Sequence, residues 1–383
     1  MTFWIQHGYG KADKIDTVAD SDLLTGVILS PADEEHSTLM STVASAQLRG
    51  IEVLLDPQLY IHTISGAVAR CHSHHGLELG EISWFLSPDE IARHCQAVVT
   101  LNRDFGIHHV VSPAPYLASF GDVWAPVSLQ YARATIELTE LPVYLSLVAE
   151  DAAFADWDST LRYLDALTTL DADGIYLIVG TSAQGYPVHW DSERLTNVLR
   201  VIYTLAELNH YEVIWGYSDL AGVLGVSVGA AGAATGWYHS LRRWTTDKWI
   251  PKSGGRQANP RIFVEQLLST IEWNSEAINA VRWRDGPRVF PDSELRRRLR
   301  EEGQWGIVES WNQHLLAMAS LHQVVDRESD VSVRIASIRQ RVEDALDLHE
   351  EIAMSRAAVS ATHSSGLRAL LEAIDAFAVA EEL

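Results

Sequence analysis

Acidic side chains stand at the ends of several short apolar runs, and this placement is the feature of the chain most able to do chemistry. Asp56 closes Ile51–Asp56, Glu150 and Asp151 follow Val143–Val148, and Tyr217 ends Glu212–Tyr217 just ahead of Ser218 and Asp219. Ser112, Thr181 and Ser182 hold matching positions after two further runs. Two carboxyl groups converging on one bond can act as nucleophile and general acid/base, which is what glycosidic chemistry requires. Asp56, Asp219 and Glu150 are therefore the candidate catalytic residues. Local capping of the following loops and helices would suit Asp56 and Asp219 equally well.

A second candidate set surrounds the stretch Gly225–Gly236. Gly232, Thr235 and Gly236 would offer backbone N–H groups to a phosphate, and Arg242 and Arg256 would add charge-assisted hydrogen bonds. Close packing of small residues in a tapering wall would explain the same glycines. The spacing matches neither a P-loop nor a dinucleotide fingerprint. Among the 13 tryptophans, Trp215 together with Tyr217 alternates with Ile214 and Gly216, so one pair could face the mouth and stack on a planar ligand. Cys71-His-Ser-His-His75 contains metal-ligand types but has no complementary pair at a standard spacing, so neither a metal nor a cofactor is expected.

These residues need a frame, and the periodicity supplies one. Eight β-rich runs, Thr25–Ser30, Ile51–Asp56, His108–Ser112, Val143–Val148, Gly174–Val179, Glu212–Tyr217, Gly225–Ala230 and Arg261–Glu265, alternate mostly with helix-length spacers. Their number and spread predict an α/β fold, a (β/α)8 TIM-like barrel, whose working face is the one at the strands' C-terminal ends. Residues 1–22 precede the first of these runs. Pro31-Ala-Asp-Glu-Glu reads as the opening of the first helix, and the connection Asp219–Leu224 as too short for a full one. An insertion is expected at about 57–86, and Arg261–Glu265 could equally begin a helix running to Trp273. The barrel is expected over 1–285. The helical patterns Ser293–Glu302, Trp305–Asp326, Val331–Met354 and Ser365–Glu382 form a C-terminal appendage over 286–383, through which a homo-oligomer could assemble.

Composition sets the outer bounds. Hydrophobic residues make up 47% and charged ones 21% of 383 residues, enough for a large core. No run approaches the length of a membrane span, and the first residues lack a signal peptide's basic and apolar regions, so a cytoplasmic protein without membrane contact is expected. The two cysteines fit a reducing compartment. A formal charge of −22 disfavours non-specific nucleic-acid binding, yet arginines crowd the stretch from His239 to Glu301. That belt could hold a phosphorylated small molecule or a nucleic acid locally, or pair with the acidic remainder at an interface.

Taken together, the strand-end acids, the glycines and the arginines point to a barrel enzyme. It would act on a phosphorylated nucleotide- or sugar-containing substrate, by glycosidic cleavage or base exchange. The arrangement is broadly similar to tRNA-guanine transglycosylase-like barrels, a resemblance that implies strand-end aspartates acting on a ribosyl–base bond. This chain differs from them in having no four-ligand zinc motif, and in having Asp56-Pro-Gln-Leu where they carry a glycine-rich turn. Two other readings stay open: a carbohydrate hydrolase with no phosphate requirement, and a non-catalytic barrel serving as a recognition or assembly subunit.

Overall fold

The computed structural model describes residues 2–10, 13–71, 75, 77, 87–181, 186–251, 259–326, 330–355 and 359–383. Eight parallel strands form its centre: β1 (Phe3–Gln6), β2 (Gly26–Leu29), β3 (Glu52–Leu55), β4 (Val110–Val111), β5 (Val143–Glu150), β6 (Gly174–Gly180), β7 (Glu212–Gly216) and β8 (Gly232–Thr235). They are ordered β3-β2-β1-β8-β7-β6-β5-β4, and β3 packs near β4, so the sheet is a nearly closed barrel. The expected (β/α)8 fold is the one observed.

Two of the expected barrel strands are something else, and two real ones were hidden. Phe3–Gln6 is a strand, although the sequence reading began the barrel at Thr25. Gly225–Ala230 is not: Asp219–Ser227 is a helix, and the barrel strand follows it at Gly232–Thr235. The reason is burial. From Ala221 to Ser227 that helix is buried on every side, so it lacks the polar face that reveals a helix in sequence. Arg261–Val264 is a strand, but it pairs antiparallel with Ser269–Glu272 in a separate hairpin.

The helices are α1 (Asp13–Ala19), α2 (His36–Leu48), α3 (Pro88–Phe105), α4 (Trp124–Leu138), α5 (Trp157–Leu167), α6 (Ser192–Tyr203), α7 (Asp219–Ser227) and α8 (His239–Arg242). After the hairpin strands β9 (Arg261–Val264) and β10 (Ser269–Glu272) come α9 (Ile278–Arg282), α10 (Gly286–Val289), α11 (Ser293–Arg300), α12 (Ile307–Asp326), α13 (Val331–Met354) and α14 (Ala361–Ala380). Helix α12 packs on β1, α1 and α7, which is the place of an eighth barrel helix. The hairpin and the short helices α8 to α11 thus come between β8 and α12 in the chain. Helix α14 lies on α6, with Phe377 edge-on to Tyr203 and Glu381 bonded to Arg200 at 2.7 Å.

Aromatic rings seated over glycines fill the wall. A Cβ on Gly26 would lie 2.2 Å from the Trp4 ring, and one on Gly232 would lie 2.4 Å from Trp4 Nε1. Tyr144 lies over Gly174 and Tyr176 over Gly216 in the same way. One apolar core runs through the barrel, its helices and α12–α14, and a smaller one lies under the hairpin and α9–α11. Much of the arginine belt is paired at the surface: Arg282 with Glu302, Arg288 with Glu351, Arg297 with Glu294 and Glu301, Arg298 with Glu309. Among the described residues no helix is long and apolar enough to cross a membrane.

Candidate active site at the strand-end face

Asp56 leaves the end of β3 pointing into the barrel and is 1% exposed. Its Oδ2 accepts from Tyr60 at 2.8 Å and from Tyr176 of β6 at 3.3 Å, while Oδ1 accepts from the Gln58 N–H at 3.0 Å. Tyr176 also reaches Gln6 Oε1, at the end of β1, at 3.3 Å. Gln58, held at φ 56°, donates from Nε2 to the Tyr217 oxygen at 3.4 Å. Lys248, from the excursion after β8, donates to the same oxygen at 3.2 Å and pairs with Asp33 at 3.2 Å. The ends of four strands, the body of β6 and that excursion therefore meet in one hydrogen-bonded chain running Gln6–Tyr176–Asp56–Gln58–Tyr217–Lys248–Asp33.

The electrostatics of this chain are set by enclosure. Burial raises the Asp56 carboxyl to about 7, against its bonds from Tyr60 and Gln58 and the nearby Lys248 charge. Burial likewise raises Glu34 to about 7, opposed by the Gly10 N–H and reinforced by Asp33. Burial would lower the Lys248 ammonium, but the Asp33 charge and the Tyr217 hydroxyl outweigh it and keep it protonated. Several buried polar atoms here lack a hydrogen-bond partner among the described residues: Gln6 Nε2, both His7 ring nitrogens, Glu34 Oε2 and Trp244 Nε1. His7 lies 3.6 Å from Glu34 and is held neutral chiefly by burial. Buried polar atoms are normally satisfied, so such a cluster marks a place built for polar company.

Aromatic rings roof the site. Trp244 bridges to Gly180 at the end of β6, stacks on Tyr116 at 4.9 Å and meets Tyr60 edge-on at 5.5 Å. Trp237 is edge-on to His7 at 5.1 Å.

Asp219 belongs to a second cluster. Its Oδ1 accepts from Thr235 and from His314 Nε2 of α12, each at 3.0 Å, and its Oδ2 accepts from Tyr186 at 2.9 Å. Burial would raise this carboxyl, yet the His314 charge and bond, the Arg242 charge and the Tyr186 bond bring it down to about 2. Burial and the Arg242 charge lower His314 to about 4, against the pull of Asp219. Arg242 donates to the carbonyls of Gly236 and Trp237 and to the Tyr186 hydroxyl. Asp219 does not cap its own helix. It ties β7, β8, Tyr186 and α12 together.

The sequence-derived candidates thus divide. Asp56 and Tyr217 share the first cluster, and Asp219, Thr235, Gly236 and Arg242 share the second. The bonds of one carboxylate involve none of the other's partners. Glu150 stands half-buried at the end of β5, and burial together with Asp151 raises its carboxyl. Trp215 packs outside the barrel wall against Trp190 and Gly225, so it does not line the mouth. Gly232 and Gly236 are close-packing sites: a Cβ on Gly236 would meet Leu241 at 2.2 Å and the Gln6 carbonyl at 2.7 Å. The neighbouring Ala233 N–H serves the barrel by bonding the Thr2 carbonyl. Arg256, Ser182, His72 and His74 lie outside the described residues.

Several mouth residues were not foreseen. Gln6 was hidden with β1, His7 was expected either across the barrel bottom or at its rim, and Asp33 and Glu34 were read as a first helical turn, although α2 begins only at His36. Lys248 carried no motif. The usable signal for Asp33 and Glu34 was the one that found Asp56, a position just past a strand end. Among the described residues no group of three or more His, Cys, Asp or Glu side chains could hold a metal ion.

No protein-family model matches the chain, and comparison with curated proteins gives no match. Solved structures similar to it include one described as "Native KDPGal structure", at 12% identity and a TM-score of 0.30, covering 61% of this chain and 81% of that one. Another is a glycosyl hydrolase, a GH3 family member from Mycobacterium smegmatis, at 14% identity and a TM-score of 0.38, covering 83% and 94%. The barrel assignment rests on the strand order itself.

Proposed function

We propose that the chain is an enzyme of the glycosidic bond, cleaving or exchanging it in a nucleotide- or sugar-containing substrate at the barrel mouth. Asp56 is the general acid/base. The observation that carries this reading is its buried strand-end carboxyl, raised to about 7 and gripped by two tyrosines from different parts of the wall. Such a group can give and take a proton near neutral pH, and a positioned acid/base is worth about 10²–10⁴ in rate. Glu34, also raised to about 7, is the second carboxyl on the same rim. The orphaned donors and acceptors of Gln6, His7 and Glu34 suit hydroxyl groups, and the Trp237 and Trp244 rings suit the flat face of a sugar or base. Because Asp56 is enclosed, the segment carrying Trp244 and Lys248 opens to admit substrate.

The test is a panel of nitrophenyl glycosides and nucleosides, followed by absorbance and chromatography. Turnover by the native chain, reduced about 10²-fold or more in Asp56→Asn at an unchanged unfolding midpoint, is the expected result. An equally active Asp56→Asn removes the assignment of Asp56. No turnover by the native chain on any member favours the recognition-subunit alternative.

A further inference from the structure

A cleft of about 340 Å³ opens beside the mouth, between the turn after β8, the β9–β10 hairpin and the first turn of α12. Its lining includes Arg242, Arg261 and His239, the hydroxyls of Ser240, Thr270 and Ser310, and the Asn259 amide, but among the described residues no Asp or Glu. In a chain of formal charge −22 that is an unusual lining. Tyr238 and Trp311 form its apolar walls.

The two arginines are held in place by largely neutral groups. Arg242 is 4% exposed and spends its bonds on the carbonyls of Gly236 and Trp237 and on the Tyr186 hydroxyl, at 3.2, 2.9 and 3.3 Å. The Tyr186 hydroxyl lies 3.2 Å from Thr270 Oγ1, and the Thr270 carbonyl accepts from Arg261 at 3.4 Å. Tyr186 and Thr270 therefore connect the two guanidinium groups across the floor of the cleft. Two acids adjoin them: Glu272 pairs with Arg261 at 3.0 Å and also accepts from the Asn259 amide at 3.4 Å, and Asp219 lies beyond Tyr186. Helix α12 turns its N-terminal end, with Ser310 and Trp311, toward the same space, and Glu309 of its first turn accepts from the Gly306 N–H there at 2.6 Å. Arginine favours phosphate because its planar fork presents paired donors, and the volume lies within the range of small-molecule sites.

The geometry points to this cleft as a binding site for a phosphate monoester. The anion site expected at the β8 glycines would then lie one turn further along the chain. Its service as the anchor for a phosphorylated substrate rests on the function proposed above, whereas phosphate binding itself does not.

The experiment is calorimetric titration of the full chain with inorganic phosphate, adenosine monophosphate and glucose 6-phosphate, repeated for Arg261→Gln and Arg297→Gln. Arg242 is left intact because its buried bonds support the fold. Binding that Arg261→Gln weakens about tenfold or more, and Arg297→Gln leaves alone, is the expected result, since charge-assisted bonds exceed exposed ion pairs in strength. Tighter binding of adenosine monophosphate than of the other two would show a base stacked on Trp311 or Tyr238. Equal binding of all three would show a site for the phosphate group alone. No binding by the native chain, or equal binding by both variants, overturns the proposal. Asp56→Asn separates the two readings: phosphate binding persists in it if the cleft is real, whether or not Asp56 is catalytic.

Discussion

At the residue scale, the buried carboxyls give the protein a two-sided dependence on pH. Asp56 and Glu34 hold protons more tightly folded than unfolded, because burial disfavours their charged forms. Between about pH 4, where such groups ionise in an unfolded chain, and about pH 7, the folded state keeps protons that the unfolded state has shed. The contribution of these two carboxyls therefore falls as pH rises through that window, by at most about 1.4 kcal/mol per pH unit per group, while His7, His94, His314 and His322, lowered chiefly by burial, add stability as pH rises over the same range. Asp219 acts in the opposite sense. Its bonds and the Arg242 charge outweigh burial and hold it near 2, so its contribution is present above about pH 4 and fades as pH drops toward 2. Urea unfolding measured from pH 3 to pH 8 checks this: Asp56→Asn flattens the neutral limb and leaves the acid limb in place. An unaltered neutral limb in both Asp56→Asn and Glu34→Gln would show that neither carboxyl is raised. Asp56 was legible from sequence because strand-end position alone finds it. Lys248 was not, because nothing in Thr-Thr-Asp-Lys-Trp tells that its side chain returns to Asp33 and Tyr217.

At the scale of elements, long strands with a helix between them were easy to read, and the ends of the barrel were not. Val143–Val148 and Gly174–Val179 alternate with amphipathic helices and fall where the periodicity puts them. β8 is Gly-Ala-Ala-Thr, which has almost no strand propensity of its own. Its residues are small because the neighbouring Trp4 ring needs the room, a tertiary reason that no local window contains. Gly26→Ala tests this directly. The added methyl collides with a ring that cannot yield inside the wall, so a loss of about 1–3 kcal/mol or more in unfolding free energy is expected. A neutral Gly26→Ala would mean that Trp4 has space to turn.

At the scale of the whole molecule, the C-terminal helices are part of the barrel's support. Helix α12 completes the outer ring and supplies His314 to Asp219, and α14 covers α6 with Phe377 fully buried. Phe377→Ala is expected to cost about 3–5 kcal/mol by denaturant unfolding. Removing the Arg200–Glu381 pair beside it should cost only about 0–1 kcal/mol, since that pair is partly wetted. Similar small losses at both places would show that α14 rests loosely on the barrel. The helical pattern of this region was plain in sequence because each helix keeps a polar face. Its role was hidden, because the residues from the end of β8 to α12 separate a barrel strand from the helix that completes its unit.

The rings seated over glycines also constrain how the sequence can change. Position 26 is closed to any side chain while position 4 carries tryptophan, and position 232 is closed for the same reason. Tyr176 and Gly216 are coupled in the same way, whereas Gly174 is closed by the Glu212 carbonyl as well as by the Tyr144 ring. Drift at these places must begin with the ring. Once it shrinks, the glycine opposite is released, and a change in the other order is blocked by volume. Descendants of this chain would therefore inherit these letters as linked sets, and the order of their replacement would run from aromatic to glycine.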